Sequence, residues 1–309
     1  MKFRELRYVL LALLLLALTA CGANPQEEAR LKLGQKKIPY DTETFVNQAR
    51  AGNLEAVQLF LQAGMSPNAV SPSGYLPLVE ACRYGRQAVV FVLLEKGADP
   101  NAKDDKFGAT ALSWAALNGF NDAVKFLLDH GADPKIKDKN GLDALLATAA
   151  AGKTDTVKIL LDRGADINSR DKDDSTALLW AAYWGRDDTV QALLERGADI
   201  QAREKKEGWD ALLTAANRGK TEVVKVLLAR GAAIDTRDNQ GRTPLILAGG
   251  GGWLETTKLL LAQGADPSLK DQEGNTALSL ARANFQRDTS EFLEKAGAVP
   301  EKGPETPAQ

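Results

Sequence analysis

LLEKGADPN, residues 93–101, ends an apolar run in a glycine, and the chain repeats it almost word for word. LLDHGADPK (127–135), LLDRGADIN (160–168), LLERGADIQ (193–201), LLARGAAID (227–235) and LLAQGADPS (260–268) follow in the same register. The closing glycine stands at Gly64, Gly97, Gly131, Gly164, Gly197, Gly231, Gly264 and Gly297, every 33 or 34 residues. A second column, Gly52, Gly85, Gly119, Gly152, Gly185, Gly219 and Gly252, marks where a short helix must turn back. A third motif opens each unit: GYLPL, GATAL, GLDAL, DSTAL, GWDAL, GRTPL and GNTAL.

These columns predict two helices per unit. Leu78, Leu112, Leu145, Leu178, Leu212, Leu245 and Leu278 form an apolar column on the first helix. Val57, Val90, Val124, Val157, Val190 and Val224 form another on the second. One two-helix unit cannot bury both faces, so neighbours must stack. Small residues between the columns, such as Ala115-Ala116, Ala181-Ala182 and Ala215-Ala216, permit close helix approach. The closing glycine suits the left-handed backbone of a helix C-cap.

A 33-residue period of turn and two helices resembles the ankyrin repeat, whose opening signature is T-P-L-H-x-A. Thr243-Pro244-Leu245 keeps the TPL, and no unit keeps the His, which weakens a side-chain bond to the turn but leaves the packing columns intact. The resemblance covers residues 41 to about 299. It implies an all-α ankyrin-repeat solenoid of about eight helix pairs with short β-hairpin or turn fingers. The units run 41–73, 74–107, 108–140, 141–173, 174–207, 208–240, 241–273 and 274–299. In the last, Ala283-Asn284-Phe285 replaces the turn glycine, as expected of a terminal cap.

Charge is nearly balanced, 39 Lys+Arg against 41 Asp+Glu, so nothing electrostatic points to nucleic acid. One His and two Cys supply neither a His-based metal site nor a disulfide scaffold. No cofactor, metal or catalytic residue is expected. The N-terminus, MKFRELRYVLLALLLLALTAC, has a cationic lead and an apolar run too short to span a bilayer comfortably. Its ending, Leu18-Thr19-Ala20-Cys21, resembles the lipobox of bacterial lipoproteins. That resemblance implies a signal peptide over 1–20, lipidation of Cys21, and, with Gly22 following, export to the outer membrane facing the periplasm. Residues 21–40 then read as the lipidated Cys and a polar tether, with a helix capping the array as the alternative. Residues 300–309 read as a disordered tail.

Ankyrin arrays bind partners along the fingertips and the concave face of the first helices. Carried over by register, that surface comprises Tyr75, Arg83, Tyr84, Phe107, Leu117, Asn118, Leu142, Tyr183, Trp184, Trp209, Asn217, Arg218 and Arg242. Its centre is Tyr183, Trp184 and Trp209, because Trp, Tyr and Arg dominate binding hot spots. Trp180 and Trp114, beside the alanine pairs, read as mostly core. The basic column Lys137, Arg170, Arg203, Arg237 and Lys270 precedes an acid in each finger and reads as a solvated, self-compensated edge. LAGGGGW (247–253) lacks the ending of a phosphate loop and reads as a frayed helix end giving a flat patch. Cys82 falls in a core column as a buried thiol, and His130 ends a second helix on the outer side.

The resulting expectation is a non-enzymatic, membrane-anchored, monomeric scaffold of the bacterial envelope that binds one or more partner proteins. The alternatives are an immunity factor, inhibitor or chaperone-like helper of a periplasmic enzyme or toxin, then a structural envelope protein. A hydrolase ranks last, because no Ser-His-Asp, Cys-His or metal constellation is present.

Overall fold

The computed structural model describes residues 24–297. The expected signal peptide, Cys21 and the tail at 300–309 lie outside them. Among the described residues there are seventeen α-helices and no strand, with one isolated antiparallel bridge between Lys103 and Thr110 in a finger. No helix there is long and apolar enough to cross a membrane.

The chain forms two compact units. Among the described residues the first holds 24–115 together with 120–139, and the second holds 116–119 together with 140–297. In the first unit lie α1 (Pro25–Gln35), α2 (Thr42–Ala51), α3 (Leu54–Gln62), α4 (Pro77–Arg83), α5 (Gln87–Glu95) and α7 (Asn121–Asp129). The division falls within α6 (Ala111–Asn118). The second unit contains α8 (Ala144–Ala151), α9 (Thr154–Asp162), α10 (Ala177–Trp184), α11 (Asp187–Glu195) and α12 (Ala211–Asn217). It continues through α13 (Thr221–Ala229), α14 (Pro244–Gly250), α15 (Leu254–Ala262), α16 (Ala277–Ala283) and α17 (Arg287–Lys295).

Within each unit first helices pack on first helices and second on second: α2 on α4 in one, and α8, α10, α12, α14 and α16 in turn in the other. The valine column is fully buried at every position, and the leucine column is buried throughout. Each layer thus seals the apolar side of its neighbour, at roughly 1.5–3 kcal/mol for each fully buried Val or Leu side chain.

The stretch read as a tether is in fact helical over α1. Asn24 caps it through the Gln26 amide, Pro25 occupies the first turn, and Ala29 and Leu33 are buried against α3. Its physical cause is the open apolar edge of the first helix pair, which this helix covers.

The five first helices of the second unit start on a side-chain cap that survives loss of the family's His, whereas α4 follows Leu76 and has no such cap. Asp143, Thr176, Asp210, Thr243 and Thr276 each accept a hydrogen bond from the backbone N–H three residues on. The basic column departs from the solvated edge expected of it. Arg170, Arg203 and Arg237 donate to the carbonyls of Arg203, Arg237 and Lys270, the equivalent residue one repeat later, at 3.1, 2.6 and 2.7 Å. Lys103 does the same to Lys137 at 2.7 Å. These cations stitch finger to finger because extended finger backbone leaves carbonyls that need donors.

The turn glycines are covered in a second ladder. The residue after each turn glycine lies over the turn glycine of the preceding repeat: Arg86 over Gly52, Phe120 over Gly85, Arg186 over Gly152, Lys220 over Gly185, Trp253 over Gly219. LAGGGGW is therefore not frayed. The helix runs through Gly250, a Cβ at Gly249 would meet the Ala277 carbonyl at 3.0 Å, and one at Gly251 would meet the Trp253 indole at 2.6 Å. The glycines make room for packing. Cys82 is fully buried, and burial pushes its thiol pKa up. His130 is exposed at the end of α7, its Nδ1 2.8 Å from the Phe126 carbonyl.

Candidate partner-binding groove

In the second unit a groove of about 700 Å³ opens between α10 and α12 and the fingers preceding them. Its wall is aromatic: Trp180, Tyr183, Trp184 and Trp209. The first three stand at i, i+3 and i+4 of α10, a spacing that puts them on one helix face. The rim carries Asp173, Glu204, Glu207, Lys206 and Arg242, and Asn217 also lines the groove.

Finger carboxylates set the ring orientations. Asp171 accepts the backbone N–H groups of Asp173 and Ser175, both at 2.9 Å, and the Trp180 indole N–H at 2.8 Å. Asp238 repeats the arrangement two fingers later. It takes the amides of Gln240 and Arg242 at 2.9 and 2.8 Å, the Trp209 indole at 3.0 Å, and the Arg242 Nε at 2.6 Å. Burial pushes the Asp238 carboxyl up, but the bonds from Trp209, Arg242 and the two amides outweigh it and hold the group below the usual carboxylate range. Glu204 serves a third finger, accepting the amides of Lys206, Glu207 and Trp209.

The rings also touch one another. Tyr183 packs edge-on to Trp180 and Trp184, with centroids 6.0 and 5.2 Å apart. The Arg218 guanidinium lies 3.9 Å from the Tyr183 centroid and donates to its hydroxyl. Arg242 lies 5.7 Å from the Trp209 centroid. Tyr183 and Trp209 are thus partly covered by their own chain, while Trp184 is 50 % exposed. Trp180 is half-buried and lines the groove, so it is wall rather than core, its polar N–H having found Asp171 at the surface.

The register therefore brings Tyr183, Trp184, Trp209, Asn217 and Arg242 together, with Arg218 against Tyr183. It does not bring Leu117, Asn118 or Leu142 to this groove. Leu117 and Leu142 are half-buried and Asn118 is exposed.

The remaining four residues gather in the first unit, in a cluster filled by the chain itself. The Arg83 guanidinium lies 4.6 Å from the Trp114 ring centroid, 5.3 Å from Phe107 and 5.7 Å from Tyr84. Arg50 lies 5.2 Å from Tyr75 and 5.8 Å from Tyr84. Buried Glu80 binds both arginines, Arg50 at 2.6 Å and Arg83 at 3.6 Å. Burial alone would lower the Arg50 pKa, but Glu80 raises it above its ordinary value. Nothing in the residue spacing points to Arg50. The readable signal was a lone acid at Glu80 in a column that holds Trp114 and Trp180 elsewhere.

Compared with known proteins, the chain matches a family model described as ankyrin repeats (3 copies) over residues 13–104, 45–138, 112–204 and 212–302. It is 32 % identical over 150 residues to an ankyrin repeat-containing protein of Treponema pallidum (strain Nichols), covering 38 % of this chain and 50 % of that protein. It is 30 % identical over 120 residues to protein phosphatase 1 regulatory subunit 27 of Mus musculus, covering 38 % of this chain and 77 % of that protein. Ankyrin repeat and SAM domain-containing protein 6 of Rattus norvegicus is 42 % identical over 77 residues, 25 % of this chain and 9 % of its own length. The chain thus spans about half of the Treponema relative and a small part of the rat one.

Proposed function

The chain belongs to the ankyrin-repeat family, and on that premise we propose that it is a protein-binding scaffold whose partner seats on the aromatic groove of the second unit. One observation carries this reading: four aromatic side chains, three of them oriented by fixed contacts within the chain, surround one groove and leave Trp184 half exposed. Rings held in place before binding lose little freedom on binding, so their contacts convert efficiently into affinity. No chemistry is assigned to the site, since ankyrin repeats are interaction modules.

The proposal extends to location. The lipobox-like Leu18-Thr19-Ala20-Cys21 supports a scaffold held at a bacterial membrane by acyl chains on Cys21, with the array displayed in the envelope. Two or more chains at about 0.8 kcal/mol per buried methylene make such anchoring effectively permanent.

The test is partner capture from envelope extracts by the wild type and by Trp184→Ala. The substitution should remove the bound protein while circular dichroism and melting stay unchanged, because the side chain is half in solvent. Recovery of the same proteins by both forms would refute the groove. Anchoring is read separately: Cys21→Ser should abolish acyl labelling, and a persisting label would refute the lipidation.

A further inference from the structure

We propose that the second-unit groove takes a cationic side chain, an arginine or lysine of the partner, inserted between its rings and the carboxylates of Asp173 and Glu204. The proposal rests on the groove being a protein-binding site and specifies what the partner must present.

The first unit shows what this lining accommodates. There Arg83 lies across Trp114, Phe107 and Tyr84 with the Glu80 carboxylate beside it. By register Trp180 occupies the column of Trp114, and Tyr183-Trp184 the columns of Arg83-Tyr84. The second unit therefore repeats the aromatic wall but replaces the cation with another ring. Among the described residues no cation lies over Trp180 or Trp184, and the groove in front of them is open.

Charge on the rim points the same way. Lys206 pairs with Glu207 at 3.6 Å, and Arg242 pairs with Glu207 at 3.2 Å and Asp238 at 2.6 Å, so the rim's cations are already matched. Asp173 and Glu204 have no ion pair among the described residues, and Glu204 is satisfied by backbone amides alone. An anionic group would meet two unmatched carboxylates. A purely apolar group would strip water from them and return nothing. A guanidinium or ammonium meets both requirements. Its aliphatic stem covers the rings, its charge faces the electron-rich ring surface, and its N–H groups reach the carboxylates.

The test uses the intact chain, purified in detergent, to select from a random displayed-peptide library, with Trp184→Ala as counter-selection. Selected peptides are resynthesised and titrated by tryptophan fluorescence, each with its key Arg replaced by citrulline, which keeps the shape and removes the charge. Selected peptides should carry Arg or Lys beside an apolar residue, and citrulline should weaken binding about tenfold or more. Glu204→Gln and, independently, Asp173→Asn should narrow that preference, with circular dichroism confirming the fold. Peptides that need Trp184 but are acidic or purely apolar, or that bind equally with citrulline, would overturn this inference and leave the groove reading standing. Selection that yields no peptide dependent on Trp184 would overturn both.

Discussion

The indole of Trp253 lies over Gly219 so closely that a Cβ on the glycine would sit 2.4 Å from the ring. Gly219 also has φ +62, so two separate constraints act on one position. Gly231 has φ +87 and nothing within 4 Å of such a Cβ, so it isolates the conformational constraint. Gly231→Ala should cost about 1–2 kcal/mol in urea unfolding. Gly219→Ala should cost at least about 1 kcal/mol more, and that excess should vanish in a Trp253→Ala background. Equal costs for the two glycines would show that the indole does not press on the turn.

Phe285 stands in the same column one repeat after Gly252, with φ +59 and 92 % of its surface exposed. No described helix pair follows to lay a side chain over it, so a Cβ fits there, yet the left-handed backbone still costs a bulky residue. Phe285→Gly should stabilise the chain by about 0.5–1 kcal/mol, the strain relieved less the glycine's own entropy. A lower denaturation midpoint would mean the ring has a packing role within the chain.

Thr257 continues the buried valine column, and its hydroxyl has no hydrogen-bond partner. Valine has the same shape and no polar atom to satisfy. Thr257→Val should raise stability by about 1 kcal/mol in urea unfolding. A loss of stability would show that the hydroxyl is satisfied after all.

Asp238 should make the second unit acid-sensitive. Its carboxyl pKa is depressed in the folded chain, so its stabilising contribution is complete above the unfolded value of about 3.9 and disappears as pH falls through the folded value. Asp238→Asn should therefore be less stable than wild type at pH 7, and the gap should narrow as pH drops below about 4. A gap that stays constant from pH 7 to pH 3 would contradict the role assigned to its bonds with Trp209 and Arg242.

The repeat could be read directly from the sequence because a 33-residue period fixes which residues share a column, and columns become packed faces when layers stack. The same logic placed Tyr183, Trp184 and Trp209 on one side of the array. It failed for the basic column because the acceptors of Arg170, Arg203 and Arg237 are backbone carbonyls, which leave no mark in the sequence. Trp180 was misplaced for a related reason: burial of its column depends on whether a finger carboxylate, here Asp171, catches the indole at the surface. The helix at Pro25–Gln35 carried a usable signal, since Asn24 followed by Pro25 is a helix start. The placing of the Asp173 and Glu204 carboxylates beside the rings is likewise absent from the column pattern, because it depends on how successive fingers fold.

The most direct measurement places a photo-crosslinking benzophenone amino acid at position 184, in the groove, or at position 225, where Lys225 projects from α13 with its side chain largely exposed. Irradiation in intact envelopes should give a discrete protein adduct from position 184 and none from position 225. No adduct at 184, or the same adduct from both positions, would contradict a partner seated on the aromatic groove.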